Sequence, residues 1–153
     1  CFTSMQEADL TDFLSQSDGH DILIANTWVH NMITISDLLE TKLQKSDSAR
    51  VTFVYTRPDS VFLRVRASEL GMSEKAVRNI ATGCNDAIHN FVDKLPEDKR
   101  RRVSIKTIDS LPKMAVYSDG SRALVGNLLP GTHAIKGSQI LIDRSEGIVS
   151  SNI

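Results

Sequence analysis

Two apolar runs decide the fold: Asp21-Ile22-Leu23-Ile24-Ala25-Asn26-Thr27-Trp28, and Arg50-Val51-Thr52-Phe53-Val54-Tyr55-Thr56. Each is short, β-branched or aromatic, and nearly continuous in hydrophobicity, which predicts a strand buried on both faces. Between them Leu38, Leu39 and Leu43 recur at helical spacing after Ser36, a residue type that caps helices, so the connection predicts a helix from Ser36 to about Lys45. Strand, helix and strand within about 35 residues is the βαβ pattern, and its two strands are expected to be parallel. Pro58 ends the second strand.

Upstream, Leu10, Phe13 and Leu14 predict a helix over 6–16 that stops at Ser17-Asp18-Gly19. Downstream, a helical segment over 60–70 breaks at Gly71. The longest apolar stripe of the chain then runs from Ala76 to Leu95, with Ser73 as its cap. Pro96 and the basic run Lys99-Arg100-Arg101-Arg102 close it. Beyond residue 102 the period shortens. Strands are expected over 103–108, 113–118, 122–125 and 139–143, with the second and third joined by a hairpin turn at Asp119-Gly120. The whole is read as α/β: a mixed, partly parallel sheet of about six strands flanked by helices, in a single domain spanning 1–153.

Composition narrows the function. Lys and Arg number 18 against 19 Asp and Glu, for a net charge of −1, so bulk charge does not pull the chain onto nucleic acid or an anionic membrane. Aromatics make up 5%, too few for a base-stacking platform. Two cysteines, Cys1 and Cys84, make neither a disulfide framework nor a four-ligand zinc site. No metal and no cofactor is expected. No membrane span and no signal-peptide pattern is visible, and the cysteine usage fits a reducing, cytoplasmic setting. The chain opens on Cys1, and it is read as a domain cut from a larger protein.

Leu111-Pro112-Lys113-Met114-Ala115-Val116-Tyr117-Ser118-Asp119-Gly120, followed by Val125-Gly126-Asn127, resembles the signature region of the phospholipase D superfamily. That signature is H-x-K-x4-D followed by G-S, carried on a hairpin, and the β-α-β-α layout before it resembles one half of such an enzyme. The resemblance aligns Lys113 with the motif lysine. It aligns Leu111 with the nucleophilic histidine, Ser118 with the aspartate (Asp119 standing one place late), and Asn127 with the serine. A leucine has no lone pair for phosphorus and no proton for a leaving group. The resemblance therefore implies a phospholipase D-like domain without phosphodiesterase chemistry. Active members bring two signature motifs together, so it also implies a homodimer or docking onto other domains of the same chain.

Candidate ligand residues follow from two sources. The resemblance offers Lys113, Asp119 and Asn127 as remnants of a phosphate site. The carboxyl ends of parallel strands, where α/β sheets hold ligands, offer Trp28 to stack on a ring, His30, and Arg57 to clamp a phosphate. The ligand expected is a phosphorylated small molecule or nucleotide. Each residue has a plainer alternative: Lys113 an exposed lysine after a proline, Asp119 a turn residue, Trp28 packing beneath its loop, Arg57 pairing with an acid, His30 a hydrogen-bonded loop residue. Two other functions compete with a regulatory or sensing module. One is an active phosphodiesterase or nuclease using a displaced histidine, His133 or His30. The other is DNA binding through 67–82, whose Leu70-Gly71 turn and Ser73 cap resemble a helix-turn-helix and whose Lys75 and Arg78 would enter the major groove.

Overall fold

The computed structural model describes residues 7–29, 32–127, 139–143 and 147–152. Helix α1 spans Glu7–Ser15, strand β1 Asp21–Asn26, helix α2 Met32–Lys45 and strand β2 Arg50–Thr56. Helices α3 (Phe62–Leu70), α4 (Glu74–Lys94) and the single turn α5 (Glu97–Arg100) follow. They lead into strands β3 (Val103–Ile108), β4 (Met114–Ser118), β5 (Arg122–Asn127), β6 (Gln139–Asp143) and β7 (Gly147–Asn152). All seven strands form one sheet in the order β3-β2-β1-β4-β5-β6-β7.

The βαβ reading holds. β1 pairs parallel with β2, Ile22 beside Val51 and Ile24 beside Phe53, and β2 pairs parallel with β3. On the other side of β1 the sheet turns antiparallel through β4, β5, β6 and β7. The α/β class with a mixed, partly parallel sheet is as expected, and β7 adds a strand at the far edge that the sequence did not suggest.

One face of the sheet carries the main core. Ile22, Ile24, Val51, Phe53, Tyr55, Ala115 and Tyr117 are buried there. Phe13 and Leu14 of α1 pack onto them, with Ile35, Leu39 and Leu43 of α2 and Ile88 and Phe91 of α4. Phe53 and Phe91 meet edge to face at 6.4 Å. A second cluster joins Trp28 to Leu63 and Ala67 of α3 and to Val77 and Ala81 of α4. The long stripe of α4 thus serves two cores, its first half closing on α3 and its second half on the sheet.

Helix ends follow local chemistry. The Ser73 hydroxyl accepts the Ala76 N–H at 3.1 Å, the cap expected of it. Gly71 stops α3 in the left-handed region at φ 65°, and Met72 N–H reaches back to the Ala67 carbonyl at 2.9 Å, a Schellman ending. Ser36 is not a cap. Helix α2 begins four residues earlier because its buried stripe starts at Met32 and Ile35, and the Ser36 hydroxyl donates to the Ile33 carbonyl inside the helix at 3.1 Å. Nor does the basic run merely trail from α4, since it forms α5 and turns inward. Arg102 donates to the carbonyls of Leu43 (2.7 Å), Ser46 (2.6 Å) and Ala49 (3.3 Å), satisfying the end of α2. Arg100 donates to the carbonyls of Asp93 and Leu95 at the end of α4, and Arg101 pairs with Glu97.

Candidate functional site

The parallel strands end together. Asn26 lies beside Tyr55 in the register, and Thr56 beside Ile108. β4 runs antiparallel to β1, so the segment 111–113 that enters it arrives at the same edge, and Asn127, paired with Met114, closes β5 there. One sheet edge therefore collects Trp28, Arg57, Lys113 and Asn127. His30 lies outside the described residues, as does His133.

Hydrogen bonds stitch this edge together. Asn26 Nδ2 donates to the Tyr117 hydroxyl at 2.9 Å, while Asn26 Oδ1 accepts the Thr27 N–H at 2.7 Å. The fully buried Thr56 donates from its amide to the Thr27 carbonyl (3.1 Å) and from its hydroxyl to the Ser110 carbonyl (2.8 Å). The buried Ser60 donates to Asp109 at 2.7 Å and accepts the Phe62 N–H at 3.2 Å. Burial pushes the Tyr117 phenol up in pKa, a shift that its hydrogen bond from Asn26 opposes, so it stays a neutral strut. Apart from the near-neighbour pairs Asn26–Thr27 and Ser60–Phe62, these partners lie 29 to 91 residues apart in sequence, and the sequence pattern alone did not reveal them.

The candidate residues divide on this frame. Lys113 is exposed, and Leu111 beside it is half-buried. Arg57 is about half exposed and faces two acids, Asp59 and Asp109, each at 3.3 Å. Its guanidinium is thus held by neighbouring carboxylates, as its plainer alternative stated. Trp28 is 5% exposed and packed against Leu63 and Val77, so its ring sits beneath the helices rather than over the edge. Around the edge stand large apolar side chains open to solvent: Val61 just before α3, Phe62 and Val65 on its first turn, and Met114 at the start of β4.

Asp119 is elsewhere. It lies at the opposite end of β4, about 20 Å from Lys113 at the rise of an extended strand. Its side chain is fully buried, and Oδ1 accepts from Ser121 N–H (2.9 Å), the Ser121 hydroxyl (2.9 Å) and Arg122 N–H (2.7 Å). The Arg122 guanidinium stands 3.5 Å away. Burial works to raise its pKa, but the bonds from Arg122 and Ser121 outweigh that and hold the carboxyl at about 2. Asp119 organises the hairpin turn and does not share an edge with the other candidates.

In the segment 67–82, Lys75 is exposed, but Arg78 turns back onto its own fold. Its guanidinium binds Glu74 at 2.8 and 3.0 Å and donates to the Pro58 carbonyl at 3.1 Å. Among the described residues no group of three or more His, Cys, Asp or Glu converges as a metal site, and no helix is long and apolar enough to cross a membrane. Cys84 is half-buried, and burial pushes its thiol up to about 11, far from a thiolate nucleophile.

The carboxyl edge thus carries the cations Lys113 and Arg57 and apolar walls, and Leu111 contributes no reacting group to it. Compared with protein-family models, curated proteins and solved structures, the chain matches none.

Proposed function

We propose that this chain is a catalytically degenerate phospholipase D-like domain, acting as a regulatory and self-association module of a larger protein. The observation that carries the association is the second face of the sheet. Along one row of the register Val54, Ala25, Val116 and Val125 stand side by side. Leu23 and Ala123 belong to the next row, where Ile142 is 39% exposed. These side chains point away from the core described above, and the first six are only half-buried. Parallel strands with continuous apolar runs are ordinarily covered on both faces. Among the described residues, α1, α2 and α4 cover one. Ser118 stands between Leu23 and Ala123, and the residues around it on this patch are apolar; a sheet face of this kind marks an association surface, and a second copy of the chain supplies a matching one under two-fold symmetry.

The absence of catalysis rests on Leu111, where the resemblance puts the nucleophile. His30 and His133, on which the displaced-histidine alternative turns, lie outside the described residues. DNA binding is disfavoured by Arg78, whose charge is committed to Glu74 and Pro58.

Two measurements on the purified chain test the reading. Light scattering at rising concentration is expected to give the mass of a dimer, and bis(p-nitrophenyl) phosphate is expected to remain intact. A monomer at every concentration defeats the association. Turnover above background defeats the loss of catalysis.

A further inference from the structure

At the amino edge of the sheet, opposite Lys113 and Arg57, a cavity of about 440 Å³ opens between the loop 15–20 and the last turns of α2. That volume suits a small organic molecule. Its cationic wall is Lys42 and Lys45; His20 also lines it, and Asp18 is the acid that does so.

Lysines in the last turn of a helix usually answer the negative end of the helix dipole. Here Arg102 already does so, because its guanidinium binds the Leu43, Ser46 and Ala49 carbonyls. Lys42 spends one N–H on the Ser17 carbonyl at 2.6 Å and has two more to give. Burial holds its pKa below the usual lysine range. Asp119 and Asp18 pull it back up, while Lys45 and Arg122 push it further down, so an anion placed between the two lysines relieves an existing penalty.

The hydroxyls define the rest of the ligand. Thr41 donates its proton to the Asp37 carbonyl at 2.8 Å and Ser15 donates to the Asp12 carbonyl at 3.0 Å, so each hydroxyl keeps its lone pairs free to accept, and both residues line the cavity. Those lone pairs can accept from a ligand's hydroxyls, which a polyol supplies and a bare phosphate dianion lacks. Leu38 and Ala49 give an apolar surface for the carbon skeleton. We propose that this cavity binds a phosphorylated sugar, its phosphate between Lys42 and Lys45 and its hydroxyls on Thr41 and Ser15.

The test is a titration of the full chain with glucose 6-phosphate, followed by calorimetry and by amide NMR shifts, with glucose and inorganic phosphate alongside. Saturable binding is expected, with shifts confined to 17–20 and 41–46. Affinity is expected to be about tenfold weaker for either half-ligand, and about tenfold weaker in Lys45→Gln. Lys42→Gln is expected to weaken it likewise. Lys45 is exposed, so its variant keeps the test intact should Lys42→Gln fail to fold. Four results each overturn the proposal: no saturation by about 10 mM ligand, inorganic phosphate binding as tightly as glucose 6-phosphate, shifts centred on Arg57 and Lys113, or unchanged affinity in Lys45→Gln. None of these bears on whether the domain self-associates, so the two proposals stand or fall separately.

Discussion

Replacing Asp119 with alanine separates a structural from a ligand-binding role for that residue. Its carboxylate holds three short hydrogen bonds from Ser121 and Arg122 and faces the Arg122 guanidinium, all from a fully buried position. Hydrogen bonds to a charged group contribute about 1.5–3 kcal/mol each when one partner is removed, and they are not additive within one cluster. The Ser121 and Arg122 donors partly recover water at the turn, so the expected loss is about 3 kcal/mol. For a domain of 153 residues that lowers Tm by about 10 °C. Urea unfolding at pH 7 measures it directly. The pH dependence adds a second signature. The folded carboxyl titrates at about 2, below its ordinary 3.8. A depressed pKa stabilises the fold above the unfolded value and loses that contribution as pH falls through the folded one. The stability gap between wild type and Asp119→Ala therefore narrows by about 2 kcal/mol between about pH 4 and about pH 2. A gap under about 1 kcal/mol at neutral pH, or one flat across that window, refutes the assignment of Asp119 to the turn.

Two further substitutions probe what holds the layers together. Arg102→Ala strips the Leu43, Ser46 and Ala49 carbonyls of their shared partner and is expected to cost about 2–3 kcal/mol in urea unfolding, with Arg102→Lys recovering only part because an ammonium cannot reproduce the planar fork. Gly19→Ala is expected to destabilise by about 1–3 kcal/mol in the same assay, because a Cβ there runs into the backbone carbonyl and side chain of Asp119 and forces the 17–20 loop off the hairpin.

What the sequence made legible follows its periodicities. The runs at 22–25 and 51–55 and the stripes of α2 and α4 are signals summed over many residues, and each landed as the expected element. Single residues were harder to read. Ser36 looked like a cap because serine caps helices, yet Met32 and Ile35 found core partners and drew the helix start past it. Trp28 and Arg57 looked alike as edge residues, and only tertiary packing separates a ring under α3 and α4 from a guanidinium facing two acids. Asp119 read as a turn residue or a motif remnant; the expected strand over 113–118 already sets it a strand length from Lys113, but which of the two shares an edge with Arg57 is set by pairing with β1, which no local pattern encodes. The same holds for the open face. Leu23, Ala25 and Val54 read as doubly buried, and the described helices bury only their neighbours on the other side.

That face carries the proposed association. A stable homodimer covers about 800 Å² on each partner, and Val54 and Val116, either side of Ala25 in the register, lie across its middle. Sedimentation equilibrium of the wild type beside Val54→Lys, Val116→Lys and Val65→Glu is the decisive measurement, with circular dichroism confirming that each variant is folded. The wild type and Val65→Glu, altered on α3 away from the sheet, are expected to associate alike, while the two lysine variants sediment as monomers. Folded lysine variants that remain dimeric, or a wild type that is monomeric throughout, contradict it.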